Sequence, residues 1–174
     1  MTRVAVAMGA NLGDRAVTLQ SALDLLGAVP ALTVLAVSPV YETDAVGGPE
    51  DQPAFLNAVL VADTDLSAAD LLARLHAIEA SHGRVREVRW GPRTLDLDLL
   101  VHGSAVSADP ALLLPHPRAH LRAFVLAPWA DVDPAYELPG LGAVADLLAA
   151  RPADDRAGAR RRADLVLTVR RGDA

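Results

Sequence analysis

Asp96 and Asp98 stand two apart in Thr94-Leu-Asp-Leu-Asp-Leu-Leu-Val101, a run that alternates polar and apolar with the period of a half-buried strand. On a strand these carboxylates share one face, and Leu95, Leu97 and Leu99 take the other. Adjacent carboxylates repel each other unless something cationic sits between or over them. Hard divalent cations accept such oxygen ligands, and Mg²⁺ usually shares them with substrate phosphates. Immediately upstream, Arg84, Arg86, Arg89 and Arg93 cluster around the turn Trp90-Gly-Pro. The planar guanidinium grips phosphate oxygens bidentately. Residues 84–98 therefore carry both parts of a metal-assisted phosphoryl-transfer site. A plainer reading stays open for each part alone: alternation is the commonest strand pattern, and arginine clusters often serve solubility or ion pairing.

Two further groups suggest what lies beside the phosphates. Phe55 and Asn57 are two apart in the apolar run FLNAVLVA, so a strand puts them on one face. An aromatic plane beside an amide suits a flat heteroaromatic ligand, although a core-edge Phe with a satisfied Asn is an equal alternative. His116, between Pro115 and Pro117, is rigidly placed and can donate to a phosphate. His116 and His120 are four apart, but Pro117 intervenes and no third ligand is evident, which disfavours zinc.

The composition bounds the rest. The 174 residues suffice for one domain with a sizeable core and hardly for two. With 52% hydrophobic and 22% charged residues, the chain has the balance of an ordinary globular protein. A net charge of −6 argues against a general nucleic-acid binder, so the arginines matter locally. The chain contains no Lys, which excludes a Walker-type phosphate loop and a Schiff-base lysine, and no Cys, which excludes a thiol nucleophile and thiolate metal sites. The sequence begins directly on a strand pattern without a signal-peptide layout, and no apolar run approaches a membrane span. The expectation is a cytoplasmic protein with no membrane partner.

The elements expected to position these residues follow in order. Arg3–Met8 reads as a buried strand running into a glycine-punctuated turn, Gly9-Ala-Asn-Leu-Gly-Asp14. A helix follows over 16–26, then a strand over 32–40 in which Pro39 signals an edge or an early end. Residues 41–53 form a long Gly/Pro-rich loop of the kind that carries function. A third strand over 55–62 leads to a helix over 68–81 capped at Ser67, with Glu79 in its last turn. The Asp96/Asp98 strand comes next, then short helices over 118–129 and 143–150. The order β-α-β, β-α-β predicts an α+β fold: a ferredoxin-like split βαβ sandwich, mainly antiparallel, with helices on one face. The other face would carry Phe55, Asn57, Asp96 and Asp98 under the loops. The domain is expected to occupy 1–150. Residues 151–174 form an Arg-rich tail, expected to be partly disordered or to add an edge strand at Asp164–Val169, and its removal is expected to leave the chemistry largely intact.

Arg89-Trp-Gly-Pro-Arg-Thr-Leu-Asp-Leu-Asp98 resembles the signature of the 6-hydroxymethyl-7,8-dihydropterin pyrophosphokinases, enzymes of the folate pathway. The resemblance extends, in the same order, through Gly9-Ala-Asn-Leu-Gly13, Tyr41-Glu-Thr43, Asp51-Gln-Pro-Ala-Phe-Leu-Asn57, Glu79, Gly83-Arg-Val-Arg86, Pro115-His116 and Arg122-Ala-Phe124. It implies transfer of pyrophosphate from ATP to the pterin hydroxymethyl group, with release of AMP and two Mg²⁺ ions. By that resemblance Asp96 and Asp98 hold the metals. Arg84, Arg86, Arg93 and Arg122 clamp phosphates, and His116 adds a further donor. Arg89 and Trp90 belong to a closing loop, and Glu79 lines the ATP side. Phe55 and Phe124 sandwich the pterin, whose edge is read by Asn57 and the backbone around Thr43 and Val46.

The chain departs from the family pattern at His76, Glu87, Asp44, Gly47-Gly48, Ala111, Leu113 and Pro117, positions that bear on nucleotide affinity and loop behaviour more than on reaction type. The partners implied are small molecules, ATP and the hydroxymethyl-dihydropterin, bound by a monomer. Two other classes compete: a Mg²⁺-dependent hydrolase or nuclease using the same aspartates, and a non-catalytic ligand sensor.

Overall fold

The computed structural model describes residues 1–45, 50–83 and 94–170. Its first strand, β1 (Thr2–Ala10), leads through Asp14, whose carboxylate caps α1 (Arg15–Gly27) by accepting the Val17 N–H. Next come β2 (Leu32–Val37), β3 (Tyr41–Thr43), β4 (Phe55–Thr64), α2 (Ala68–Ser81) and β5 (Asp96–His102). The first sheet runs β5-β1-β4-β3, all antiparallel, and β2 also pairs with β4. β4 thus lies between β1 and β2, and β1 lies between β4 and β5. These are two interleaved split βαβ units, the α+β arrangement expected.

The strand expected over 32–40 ends at Val37, and a further short strand, β3, falls in the stretch 41–53 expected to be loop. β2 pairs with the far half of β4, through Leu32–Val37, and β3 pairs with its near half, through Tyr41–Thr43. Between them Pro39 offers no N–H to a ladder. Ser38 bridges the gap instead: its N–H donates to Val59 O and its hydroxyl accepts the Val59 N–H, both at 2.9 Å.

Alternation along β1, β4 and β5 divides the core. Val4, Val6, Met8, Leu56, Leu60, Leu97 and Leu99 face α1 and α2, meeting Leu19, Leu23, Leu26, Leu71 and Leu75. Ala5, Val59, Val61 and Leu100 face the opposite way. The loops do not cover this second face alone. Beyond β6 (Ser107–Asp109) and β7 (Leu112–Leu114), α3 (Ala123–Val132) lies across it, with Val125, Leu126 and fully buried Trp129 in the second core. α3 starts later than the sequence suggests, because Arg122 is extended (φ −130°, ψ 111°) after a 3₁₀ turn at Ala119–Leu121. The Tyr41 hydroxyl donates to Asp131 at 2.6 Å, tying β3 to α3, and burial pushes its phenol up to about 12.

After β8 (Glu137–Leu138), β9 (Gly142–Ala143) and α4 (Val144–Ala149), the tail adds an edge strand upstream of the position the sequence suggests. It forms α5 (Ala153–Gly158) and a two-residue strand, β10 (Arg160–Arg161), beside β3. Residues 164–169 add no strand. They run along α1, where Leu165, Leu167 and Val169 pack on the first core and Gln20 exchanges two hydrogen bonds with Thr168.

Candidate active site

The second face opens into a cleft of about 820 Å³, within the range of small-molecule sites. The expected site residues reach it from β3 through Thr43, β4 through Phe55 and Asn57, β5 through Asp96 and Asp98, the segment before α3 through His116 and Arg122, and α3 through Phe124, while β1 floors it with Ala7, Met8 and Gly9.

The sheet register explains why these side chains meet. Gly9, on the central strand, pairs with Asn57 of β4 on one side and Asp96 of β5 on the other. The amide and the first carboxylate are therefore level, separated by two strand spacings, or roughly 10 Å. Gly9 belongs to β1, not to a turn as the sequence suggests. A Cβ there would stand 3.2 Å from Asn57 Oδ1 and 4.0 Å from Phe55. Asn57 has little freedom to move away, since it is buried and its Nδ2 donates to the Thr43 hydroxyl at 2.8 Å. Thr43 thus contributes its side chain by orienting the Asn57 amide, where the sequence pointed only to its backbone. Gly9→Ala is expected to weaken binding of a flat ligand at Asn57 about three- to tenfold with an unchanged fold, read by calorimetry beside a circular-dichroism spectrum. Unchanged affinity would show that Asn57 does not read the ligand.

β5 holds its two aspartates on a supported strand. Glu79, only 2% exposed, accepts the Leu97 N–H at 2.7 Å, between the two carboxylates in sequence. Glu79 is not among the residues that line this cleft; it lies behind β5 and holds that strand through the Leu97 N–H. A fixed pair of carboxylates on one face fits a hard cation that completes its shell with phosphate and water oxygens. Among the described residues no cluster of three or more metal-ligating side chains occurs.

His116 is anchored by its own N–H, which donates to Leu100 O at 2.8 Å. Its Nδ1 accepts the Arg118 N–H at 3.2 Å, which leaves the proton on Nε2. Nε2 faces the aspartate pair, 4.0 Å from Asp98 Oδ1. Burial, then the Arg122 guanidinium, lowers the imidazole to about 4, despite the opposing pull of Asp96. His116 is therefore a neutral donor at physiological pH. The Arg122 guanidinium stands over the Phe124 ring at 5.5 Å from its centroid, which fixes a cation beside an aromatic wall.

Asp96, Asp98, Phe55, Asn57, Thr43, His116, Arg122 and Phe124 thus share one cleft. Val46, Arg84, Arg86, Arg89, Trp90 and Arg93 lie outside the described residues. Asp155, from the tail, also lines the cleft and was not expected there. No local motif in the tail marks it, because its place depends on long-range docking. Gly9 did carry a signal, since a glycine continuing an apolar strand run often marks a close approach.

Residues 5–134 match the family model described as 7,8-dihydro-6-hydroxymethylpterin-pyrophosphokinase. The 2-amino-4-hydroxy-6-hydroxymethyldihydropteridine pyrophosphokinase of Pseudomonas aeruginosa is 48% identical over 150 residues, covering 86% of this chain and 92% of that protein. The Bacillus subtilis protein of the same name is 45% identical over 141 residues, 81% and 84% of the two chains. Among solved structures, the Plasmodium falciparum HPPK-DHPS with pterin and p-hydroxybenzoate superposes with a TM-score of 0.67 at 15% identity. That likeness covers 85% of this chain but 42% of the longer Plasmodium chain, and it speaks for the fold alone.

Proposed function

This chain belongs to the 7,8-dihydro-6-hydroxymethylpterin-pyrophosphokinase family, and we propose that it transfers the terminal pyrophosphate of ATP to the hydroxymethyl oxygen of 6-hydroxymethyl-7,8-dihydropterin, releasing AMP in the folate pathway. The observation that carries the proposal is the sheet register, which sets the ligand-reading Asn57 and the carboxylate of Asp96 level across Gly9 in one cleft. A spacing of roughly 10 Å suits a bicyclic ring whose exocyclic hydroxymethyl group reaches towards the carboxylates.

Each described residue then has a part. Phe55 and Phe124 cover the pterin faces, and Asn57, oriented by Thr43, reads its edge. Asp96 and Asp98 would hold two Mg²⁺ ions, which supply charge neutralisation and activation of the acceptor hydroxyl when bound with ATP. Neutral His116 donates from Nε2 to a phosphate oxygen. Arg122 places its guanidinium where negative charge develops on the transferred group, and orientation of the two substrates supplies much of the rate. Arg84, Arg86 and Arg93 as phosphate partners, Arg89 and Trp90 as a closing loop, and Val46 as a backbone contact to the pterin remain in the proposal on their sequence pattern. Glu79 acts from behind by holding β5.

The chain is taken to work as a cytoplasmic monomer on small molecules. Among the described residues no helix is long and apolar enough to cross a membrane.

The test is an assay with ATP, Mg²⁺ and the hydroxymethyl-dihydropterin. AMP and the pterin diphosphate are expected in equal amounts, with no AMP when the pterin is omitted. Release of ADP or inorganic phosphate, or pterin-independent cleavage, would replace the transferase with a hydrolase using the same aspartates. Binding of both substrates without turnover would make the chain a sensor.

A further inference from the structure

The family match ends at residue 134, yet the acceptor end of the cleft is completed by residues beyond it. α3 begins at Ala123, and its N-cap residue, Arg122, has no side chain able to accept a hydrogen bond from the first turn. The acceptor comes from the tail. Asp155 Oδ2 accepts the Ala123 N–H at 3.3 Å and the Arg151 Nε–H at 2.8 Å. Ala123 is the residue between Arg122 and Phe124. A carboxylate at this end also complements the helix dipole.

The same tail ties down the opposite wall. β10 pairs with β3 through Arg160↔Glu42 and Arg161↔Tyr41, and Arg162 N–H donates to Val40 O at 2.8 Å. The Arg162 and Arg15 guanidinium groups meet on Glu42 Oε2, at 2.9 and 3.0 Å. Arg160 pairs with Asp44, next to the Thr43 that orients Asn57. Between these attachments lies a recess of about 290 Å³, bounded by Thr43, Asp44 and Phe124 on the domain side and by Asp154, Asp155 and Gly158 on the tail.

We propose that Asp155 is a positioning residue for the pterin half of the site: by capping α3 from the tail, it sets the place of Phe124 relative to the Thr43–Asn57 pair. This rests on the pyrophosphokinase reading above. It also reverses the expectation that the tail is dispensable for the chemistry. Asp155 touches no reacting atom in this account. It acts through the first turn of α3, which carries Phe124, so it should govern acceptor affinity more than nucleotide affinity, which it reaches only through the N-cap Arg122.

Equilibrium binding of 6-hydroxymethylpterin and, separately, of a non-hydrolysable ATP analogue with Mg²⁺ tests this in wild type, Asp155→Ala and Asp155→Asn. The alanine variant is expected to bind the pterin about five- to tenfold more weakly, with less than about a twofold change for the nucleotide. The asparagine variant, whose amide oxygen still accepts the Ala123 N–H, is expected within about threefold of wild type. Wild-type pterin affinity in Asp155→Ala overturns the proposal, as does an equal loss for both ligands. An Asp155→Asn loss matching that of alanine overturns the capping account. If the wild-type chain itself binds no pterin, the pyrophosphokinase reading fails and the inference falls with it. Wild-type binding with an unaffected Asp155→Ala defeats the inference alone.

Discussion

Asp96→Ala and Asp98→Ala are each expected to lower pyrophosphate transfer by a factor on the order of a thousand or more, with the fold intact. Each change removes half of an oxygen platform whose two members share one face of β5. A cation that draws its remaining ligands from phosphate and water cannot be held in place by one carboxylate as it is by two. The structural consequence runs the other way. Asp98 keeps 36% of its side chain exposed, and removing one of two neighbouring negative charges relieves repulsion. Thermal midpoints should therefore stay level or rise slightly while turnover collapses. The measurement is AMP release at saturating substrates beside a thermal melt. Turnover resembling wild type in either variant would sink the assignment, and loss of fold would place the carboxylates among structural groups. Chelation of Mg²⁺ should reproduce the collapse in the wild-type enzyme, reversed on adding the ion back.

The parts of the site legible in the sequence were those encoded by strand parity and punctuation. Asp96 and Asp98, like Phe55 and Asn57, are two apart, and period-two alternation alone puts each pair on one face. Their meeting in a single cleft depends on β1 lying between β4 and β5, which the two βαβ units imply once the sheet is antiparallel. What sequence reading misplaced shares one physical cause: dependence on distant partners. Glu79 reads in the sequence only as a last-turn carboxylate, and nothing local shows that it accepts a backbone N–H on a strand eighteen residues away. α3 starts at Ala123 rather than near Arg118, and its N-terminal acceptor comes from Asp155, thirty-two residues on. The tail's Arg, Asp and Ala composition reads as poorly ordered, yet its charges pair with Asp44, Glu42 and Asp24 across the domain. Periodicity reports which face a residue takes. It does not report which remote group satisfies a helix end or a buried carboxylate.

Phe124→Ala should weaken pterin binding roughly ten- to a hundredfold while changing nucleotide binding by less than about threefold. The ring lines the cleft from the first turn of α3, partly exposed on one side and packed against the second core on the other. Truncation removes the aromatic surface a heteroaromatic ligand would stack on, and base–aromatic stacking is worth about 1–3 kcal/mol per base. It also removes the surface beneath the Arg122 guanidinium, which stands 5.5 Å above the ring. That second loss is what a small nucleotide effect would report, since an exposed cation–π contact is worth only about 0.5–1 kcal/mol. Phe124→Leu separates the two contributions of the ring. It keeps most of the apolar volume and discards the π face, so it should fall between wild type and alanine if stacking matters, and match wild type if bulk alone does. Calorimetric titration of each variant with the pterin and with the Mg²⁺–nucleotide decides the question. Equal losses for both ligands in Phe124→Ala would mean that the ring supports the whole cleft. The acceptor would then have to be recognised elsewhere, with Phe55 and Asn57 as the remaining described candidates.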